Sequence, residues 1–246
     1  MECDISRYST NKKYNFLKHM IEAARNHFGN ESDEAFAFKS ENLHMNILGV
    51  RGFVDGKPCK STNTVFDDVL FVVYLEDGVK KVEEFQASTE YGTVGTAYLT
   101  LGQHRYTIGY HKKHEYPLGL TLTENGGWEQ HRHYRAMRPY GDGVEILRDS
   151  NRNFSQDQDE SLSNNGSINI HYGGENTPVS FSTGCTTIKG WSRYKAFIKL
   201  MEQDLTIIGT SKNELAAKNV VNDGSRPVIW VSREFSGMTS SLTGRS

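Results

Sequence analysis

Apolar residues at Tyr14, Leu17, Ile21, Ala24 and Phe28 recur at intervals of three and four, the spacing that gathers side chains on one helical face. The pattern predicts a helix from Asn11 to Phe28, stopped by Gly29, and such an element packs or docks rather than catalyses. From Leu43 the period shortens to β-rich runs punctuated by glycine: Leu43 to Val50, Val65 to Leu75, Val79 to Ala87, Tyr98 to Leu101, His104 to Tyr110, Leu118 to Thr123, His131 to Met137 and Val144 to Leu147. The stretch from Val69 to Leu75 is apolar throughout, which predicts a central strand covered on both faces. Asp77-Gly78 then makes the strand from Val79 its hairpin partner. Connections of this length predict mainly antiparallel sheets.

Downstream, the polar run from Asp149 to Ser167 has no periodicity and reads as a loop. Ile168 to His171 is a short strand, and Phe181 to Ile188 an extended turn region. Trp191, Tyr194, Ile198 and Met201 mark the face of a second helix, and Val228 to Val231 an edge strand. The Ser/Thr/Gly-rich end from Ser236 is expected to be loose. The expected architecture is mainly β with flanking helices, divided into an N-terminal helical extension (1–40), a catalytic domain (41–210) and a C-terminal extension (211–246).

Composition narrows the functional classes. A chain of 246 residues with 36% hydrophobic content can bury one sizeable core. Its net charge of −2 gives no overall field favouring nucleic acid or an anionic membrane, although His111-Lys112-Lys113-His114 offers a local basic patch. Only three cysteines are present, Cys3, Cys59 and Cys185, so any pairing leaves a thiol over and a disulfide framework is not expected. Met1-Glu2-Cys3-Asp4 lacks the apolar run of a secretory signal, and no stretch approaches the roughly 18 apolar residues of a membrane span. The expectation is synthesis in a cytoplasm, with another device carrying the protein to any substrate outside.

The chemistry concentrates in two short segments. Gly184-Cys185 lies between a strand-like run and a helix, where a residue without a side chain permits a tight turn and close approach of a substrate carbonyl. Amides around such a turn can face a developing oxyanion, and a nearby imidazole can hold the thiol as the reactive thiolate. His171, at the end of the preceding short strand, suits that role once the intervening loop folds back.

Ile170-His171-Tyr172-Gly173, a Gly-rich loop and Ser182-Thr183-Gly184-Cys185 together resemble the YkuD-type L,D-transpeptidase domain over about thirty residues. The resemblance implies an L,D-transpeptidase-like β-sandwich or barrel. Cys185 would be the nucleophile, His171 the base and the Tyr172 carbonyl the orienter of the imidazole. Ser182, Thr183, Gly184, Thr187 and Gly173 would contact the substrate, with no cofactor or metal required. Thr183 stands where the family has the His before Gly-Cys, Thr187 stands where it has Asn or Arg, and the loop from His171 to Ser182 is shorter. The implied activity is cleavage or exchange of peptidoglycan stem-peptide bonds, with hydrolysis favoured over cross-linking. A phage-encoded wall enzyme fits this pattern, and the first helix could dock it to a virion or another partner.

Three competing patterns remain. His131-x-His133 on one strand face could ligate zinc in a wall peptidase, although the commoner reading of His104, His111, His114, His131 and His133 is a polar, aromatic-laced groove wall, with Tyr106, Tyr110, Tyr134 and Trp128 nearby in sequence. Asp149-x-Asn151-x-Asn153-x-Ser155 alternates oxygen ligands like a calcium loop, but Phe154 occupies the place of the required glycine. A non-enzymatic virion or wall-binding module would keep the fold without turnover.

Overall fold

The computed structural model describes residues 4–28, 37–60, 65–89, 97–111, 135–150, 152, 162–176, 184–204 and 226–232. Helix α1 (Thr10–Phe28) forms where the three-and-four spacing predicts it. Among the described residues, thirteen strands follow in chain order: β1 (Asn46–Arg51), β2 (Phe53–Val54), β3 (Lys57–Pro58), β4 (Asp68–Glu76), β5 (Val79–Ser88), β6 (Ala97–Leu99), β7 (Gly102–Tyr110), β8 (Arg135–Pro139), β9 (Val144–Arg148), β10 (Leu162–Asn165), β11 (Ile170–Tyr172), β12 (Thr186–Ile188) and β13 (Arg226–Ser232). Helix α2 (Trp191–Met201) lies between the last two strands.

Eight strands close a barrel in the order β1-β13-β7-β8-β11-β12-β5-β4, which leaves that sheet without an unpaired edge. A second sheet runs β10-β9-β6, and β2 and β3 form a small hairpin. The mainly β expectation therefore holds, in closed-barrel form.

Alternation along the strands divides the apolar residues between two faces. Inside, Ile47, Leu70, Val72, Phe85, Ile188 and Trp230 share one cluster with Leu99 and Ile146 of the second sheet and with Tyr194, Phe197 and Met201 of α2. Outside, Leu48, Val50, Phe71, Val73, Ile229 and Val231 pack under Leu17, Met20, Ile21 and Ala24 of α1. Double coverage is why Val69 to Leu75 lacks polar alternation. Asp77 and Gly78, both at positive φ, make the expected turn, and β4 pairs β5 from Asp68↔Ala87 to Glu76↔Val79.

Three expectations need correction. Val228 to Val231 is not an edge: β13 runs parallel to β1 and antiparallel to β7 inside the closed ring, with Val228 and Trp230 inward and Ile229 and Val231 beneath α1. The polar run from Asp149 to Ser167 is not all loop, because β10 pairs β9 through backbone bonds while its side chains stay largely exposed. Phe181 to Ile188 is not uniformly turn, since Thr186 to Ile188 form β12, parallel to β11. The expected strand Leu118 to Thr123, the His131/His133 pair and most of the calcium-like loop lie outside the described residues. Among the described residues, no helix is long and apolar enough to cross a membrane.

Candidate active site

The parallel β11/β12 pair brings the two segments together. Its register, Ile170↔Thr186, His171↔Thr187 and Tyr172↔Ile188, continues by one residue to place Asn169 opposite Cys185. Ile170 and Ile188 point into the barrel. Period-two alternation then puts Asn169, His171 and Thr187 on its outer face. Cys185, one residue before β12, is the diagonal neighbour of His171. Such neighbours have Cβ atoms about 7 Å apart, within reach of a side chain as long as an imidazole.

The imidazole has a defined tautomer. His171 Nδ1 lies 2.8 Å from the Tyr172 carbonyl oxygen, which can only accept, so Nδ1 carries the proton and Nε2 is the basic nitrogen of the neutral ring. The ring of His111, just past β7, stacks on that of His171 with centroids 4.3 Å apart and planes at 28°. Asn169 links this pair to the thiol: its side-chain amide lies 3.3 Å from His111 Nδ1, and its main-chain N–H donates to Cys185 Sγ at 3.3 Å. The thiol donates in turn to the Ser167 carbonyl at 3.4 Å. Cys185 and His171 are each only 6% exposed. Cys185 nevertheless lies in neither apolar cluster of the described residues, and the sulfur sits among polar backbone atoms.

Gly184 meets the steric demand read from the sequence. Its φ is +110°, and a Cβ there would come 2.7 Å from Ala97 Cβ, a conformation and an approach that only glycine tolerates. Gly173 serves packing: a Cβ would come 2.5 Å from Thr187 Cβ and 2.9 Å from Phe66 Cε1. Thr187 is buried across from His171. Ser182 and Thr183 lie outside the described residues.

Tyr172 acts on both sides of its backbone. While its carbonyl holds His171, its hydroxyl donates to Glu175 Oε1 at 2.9 Å, and the same oxygen accepts the N–H of Trp191 at the start of α2. Burial, then the Glu175 hydrogen bond, pushes the Tyr172 phenol up to about 12. A carboxylate at a helix N-terminus is favourable, and Gly190 before α2 provides no side-chain cap of its own. The strand that carries His171 is thereby tied to the helix that follows Cys185.

One barrel rim adds further groups to the site. Registers Arg51↔Ser232, Trp230↔Gly102, Asp68↔Ala87 and Thr187↔Ser88 place the ends of β1, β13 and β5 beside the starts of β4, β7 and β12. Buried Asp68 accepts from the Gly52 and Thr89 amides and from the Thr89 hydroxyl, which itself accepts from Arg51 Nε at 2.9 Å. Cys185 and Arg51 both act electrostatically on Tyr106, whose phenol burial raises far above its ordinary value. Of the two groups missed outright, Arg51 and Asn169, only Asn169 had a local signal, because alternation through Ile168-Asn169-Ile170-His171 puts it on the His171 face. His111, Arg51 and Tyr106 reach the site only through closure of the barrel. Comparison of the chain with protein-family models, with curated proteins and with solved structures finds no match.

Proposed function

We propose that this protein is a cysteine-dependent acyl-transfer enzyme of the L,D-transpeptidase type, processing peptidoglycan stem peptides with hydrolysis as the favoured outcome. The observation that carries the reading is the imidazole of His171, locked by the Tyr172 carbonyl on the strand paired with the one that begins after Cys185. A carbonyl orienter leaves the remaining ring nitrogen to take a proton, which is the arrangement a nucleophile–base pair needs. The resemblance of Ile-His-x-Gly and Ser-x-Gly-Cys to the family motifs points to the wall peptide as substrate.

In this reading the Cys185 thiol gives its proton to His171 Nε2, and the sulfur attacks a stem-peptide carbonyl carbon. Amides of the Gly184 turn face the resulting oxyanion. As the tetrahedral species collapses, the C–N bond breaks and His171 returns the proton to the departing amine. The acyl group remains on sulfur as a thioester. Water, deprotonated by His171, then attacks the thioester, and the C–S bond breaks to release a carboxylic acid. An amine in place of water gives exchange. Synthesis in a phage-infected host, with delivery to the wall, is the setting we infer.

Cys185→Ala should abolish release of soluble peptides from purified peptidoglycan while leaving the circular-dichroism spectrum unchanged. His171→Gln should lower the same rate by about 100-fold or more. Mass spectrometry of the released muropeptides identifies the bond and the acceptor, and undiminished release by Cys185→Ala would refute the proposal. The 6% exposure of both Cys185 and His171 favours a second reading, a wall-binding or virion module with an idle thiol. Alkylation separates the two: an idle Cys185 reacts no faster than an ordinary cysteine.

A further inference from the structure

The inner face of the barrel near the Arg51 rim carries donors that strand pairing does not satisfy. Arg51 Nη1, Tyr106 Oη and Trp230 Nε1 are buried without a hydrogen-bond partner among the described residues, whereas buried polar groups are nearly always paired. Arg51 and Trp230 can only donate, and burial keeps the Tyr106 phenol protonated. The guanidinium is fixed in place. Its Nε donates to Thr89 Oγ1, its Nη2 to the Leu99 carbonyl, and its carbon sits 4.1 Å from the Tyr98 ring centroid and 5.8 Å from that of Trp230. The nearby Asp68 carboxylate is occupied by Gly52 and Thr89 and meets Arg51 through the Thr89 hydroxyl.

The thiol shares this end of the barrel. Gly184 packs on Ala97, two residues before the Leu99 carbonyl that holds Arg51, and Tyr106 lies within the fields of both Cys185 and Arg51. A set of donors that includes a cation matches an acceptor with negative charge. A carboxylate offers two oxygens with about four acceptor positions and forms its strongest hydrogen bonds with guanidinium. A water molecule accepts fewer bonds and brings no charge.

We propose that Arg51, Tyr106 and Trp230 form a buried carboxylate-binding pocket beside Cys185, which takes a carboxylate of the peptide whose carbonyl the thiol attacks. The inference rests on the reading of Cys185 as the nucleophile and adds what the enzyme holds while it reacts.

Iodoacetate and iodoacetamide test it directly, since they differ by one carboxylate and both alkylate a reactive thiol. Modification of Cys185 in the full chain is followed by peptide mass spectrometry, with N-acetylcysteine as the reference. The pocket should raise the iodoacetate-to-iodoacetamide rate ratio at Cys185 about tenfold over the reference. Sodium acetate should slow iodoacetate more than sodium chloride of equal ionic strength does. Arg51→Met should return the ratio to the reference value. Because Arg51 also braces the Leu99 strand, Tyr106→Phe, which removes only a hydroxyl, is the second variant and should lower the ratio in the same direction. A wild-type ratio equal to the reference, or a raised ratio that survives both substitutions, overturns the pocket while the reactive thiol stands. Failure of both reagents to label Cys185 overturns the pocket and the nucleophile together.

Discussion

At the scale of single residues, Gly184 decides where the sulfur sits. Alanine there combines an unfavourable positive φ with a Cβ too close to Ala97, and neither neighbour can yield without moving the turn. Gly184→Ala should therefore destabilise the protein by about 2–4 kcal/mol, measured by urea unfolding. A loss under about 0.5 kcal/mol would contradict the packing described. The sequence made Gly184, Cys185 and His171 legible because their chemistry is local: a residue without a side chain, a thiol, and a histidine on a short strand. It left Arg51 invisible and Tyr106 legible only as one aromatic of a groove wall, because an arginine at the end of one strand and a tyrosine inside another acquire their meaning only when the ring brings them together. His111 was legible as one of many histidines, yet its stacking on His171 depends on how the chain turns after β7.

At the scale of elements, α1 belongs to the wall it covers. Leu17 is fully buried beside Phe71 and Val73 of β4 and Ile229 and Val231 of β13, and the Lys13–Glu84 ion pair ties the helix to β5. Leu17→Ala should lower the unfolding free energy by about 2–5 kcal/mol through lost burial and the cavity left behind. An unchanged denaturation midpoint would show that the helix is dispensable to the barrel. Helix α1, the β4–β5 hairpin and the face of α2 were legible because each announces itself within twenty residues. Strand β10 was not, since Leu162 to Asn165 has no apolar alternation and is held by backbone bonds to β9. The central place of β13 was hidden for another reason: nothing within Arg226 to Ser232 specifies a parallel partner as remote as Asn46 to Arg51.

At the scale of the whole molecule, His104 couples the interior to pH. Burial holds its imidazole below the ordinary value of 6.5, and the positive field of Arg51 acts in the same direction. The Thr100 carbonyl, second in size only to burial, and Glu145, smaller than Arg51, oppose the shift without cancelling it. The unfolded chain then binds this proton more readily than the folded one. The contribution of His104 to stability is complete above about pH 6.5 and is lost as pH falls from there through the folded value. Thermal unfolding should show Tm decreasing as pH falls below about 6.5, and His104→Gln should flatten that slope. An equal slope in wild type and variant would remove His104 as the cause. Barrel closure also explains how the described residues, with two helices among them, support two cores, because both sides of one wall are used, the inner by the ring and the outer by α1.

The position of β13 has a consequence for biogenesis. Since it is the stave between β1 and β7, a nascent polypeptide emerging from the ribosome cannot seal its ring until residues 226–232 have left the exit tunnel, long after position 185 has been translated. Pairings this distant in the chain form slowly. The thiol would thus spend the interval of synthesis in an unfinished scaffold, and its maturation would wait on a segment made after it.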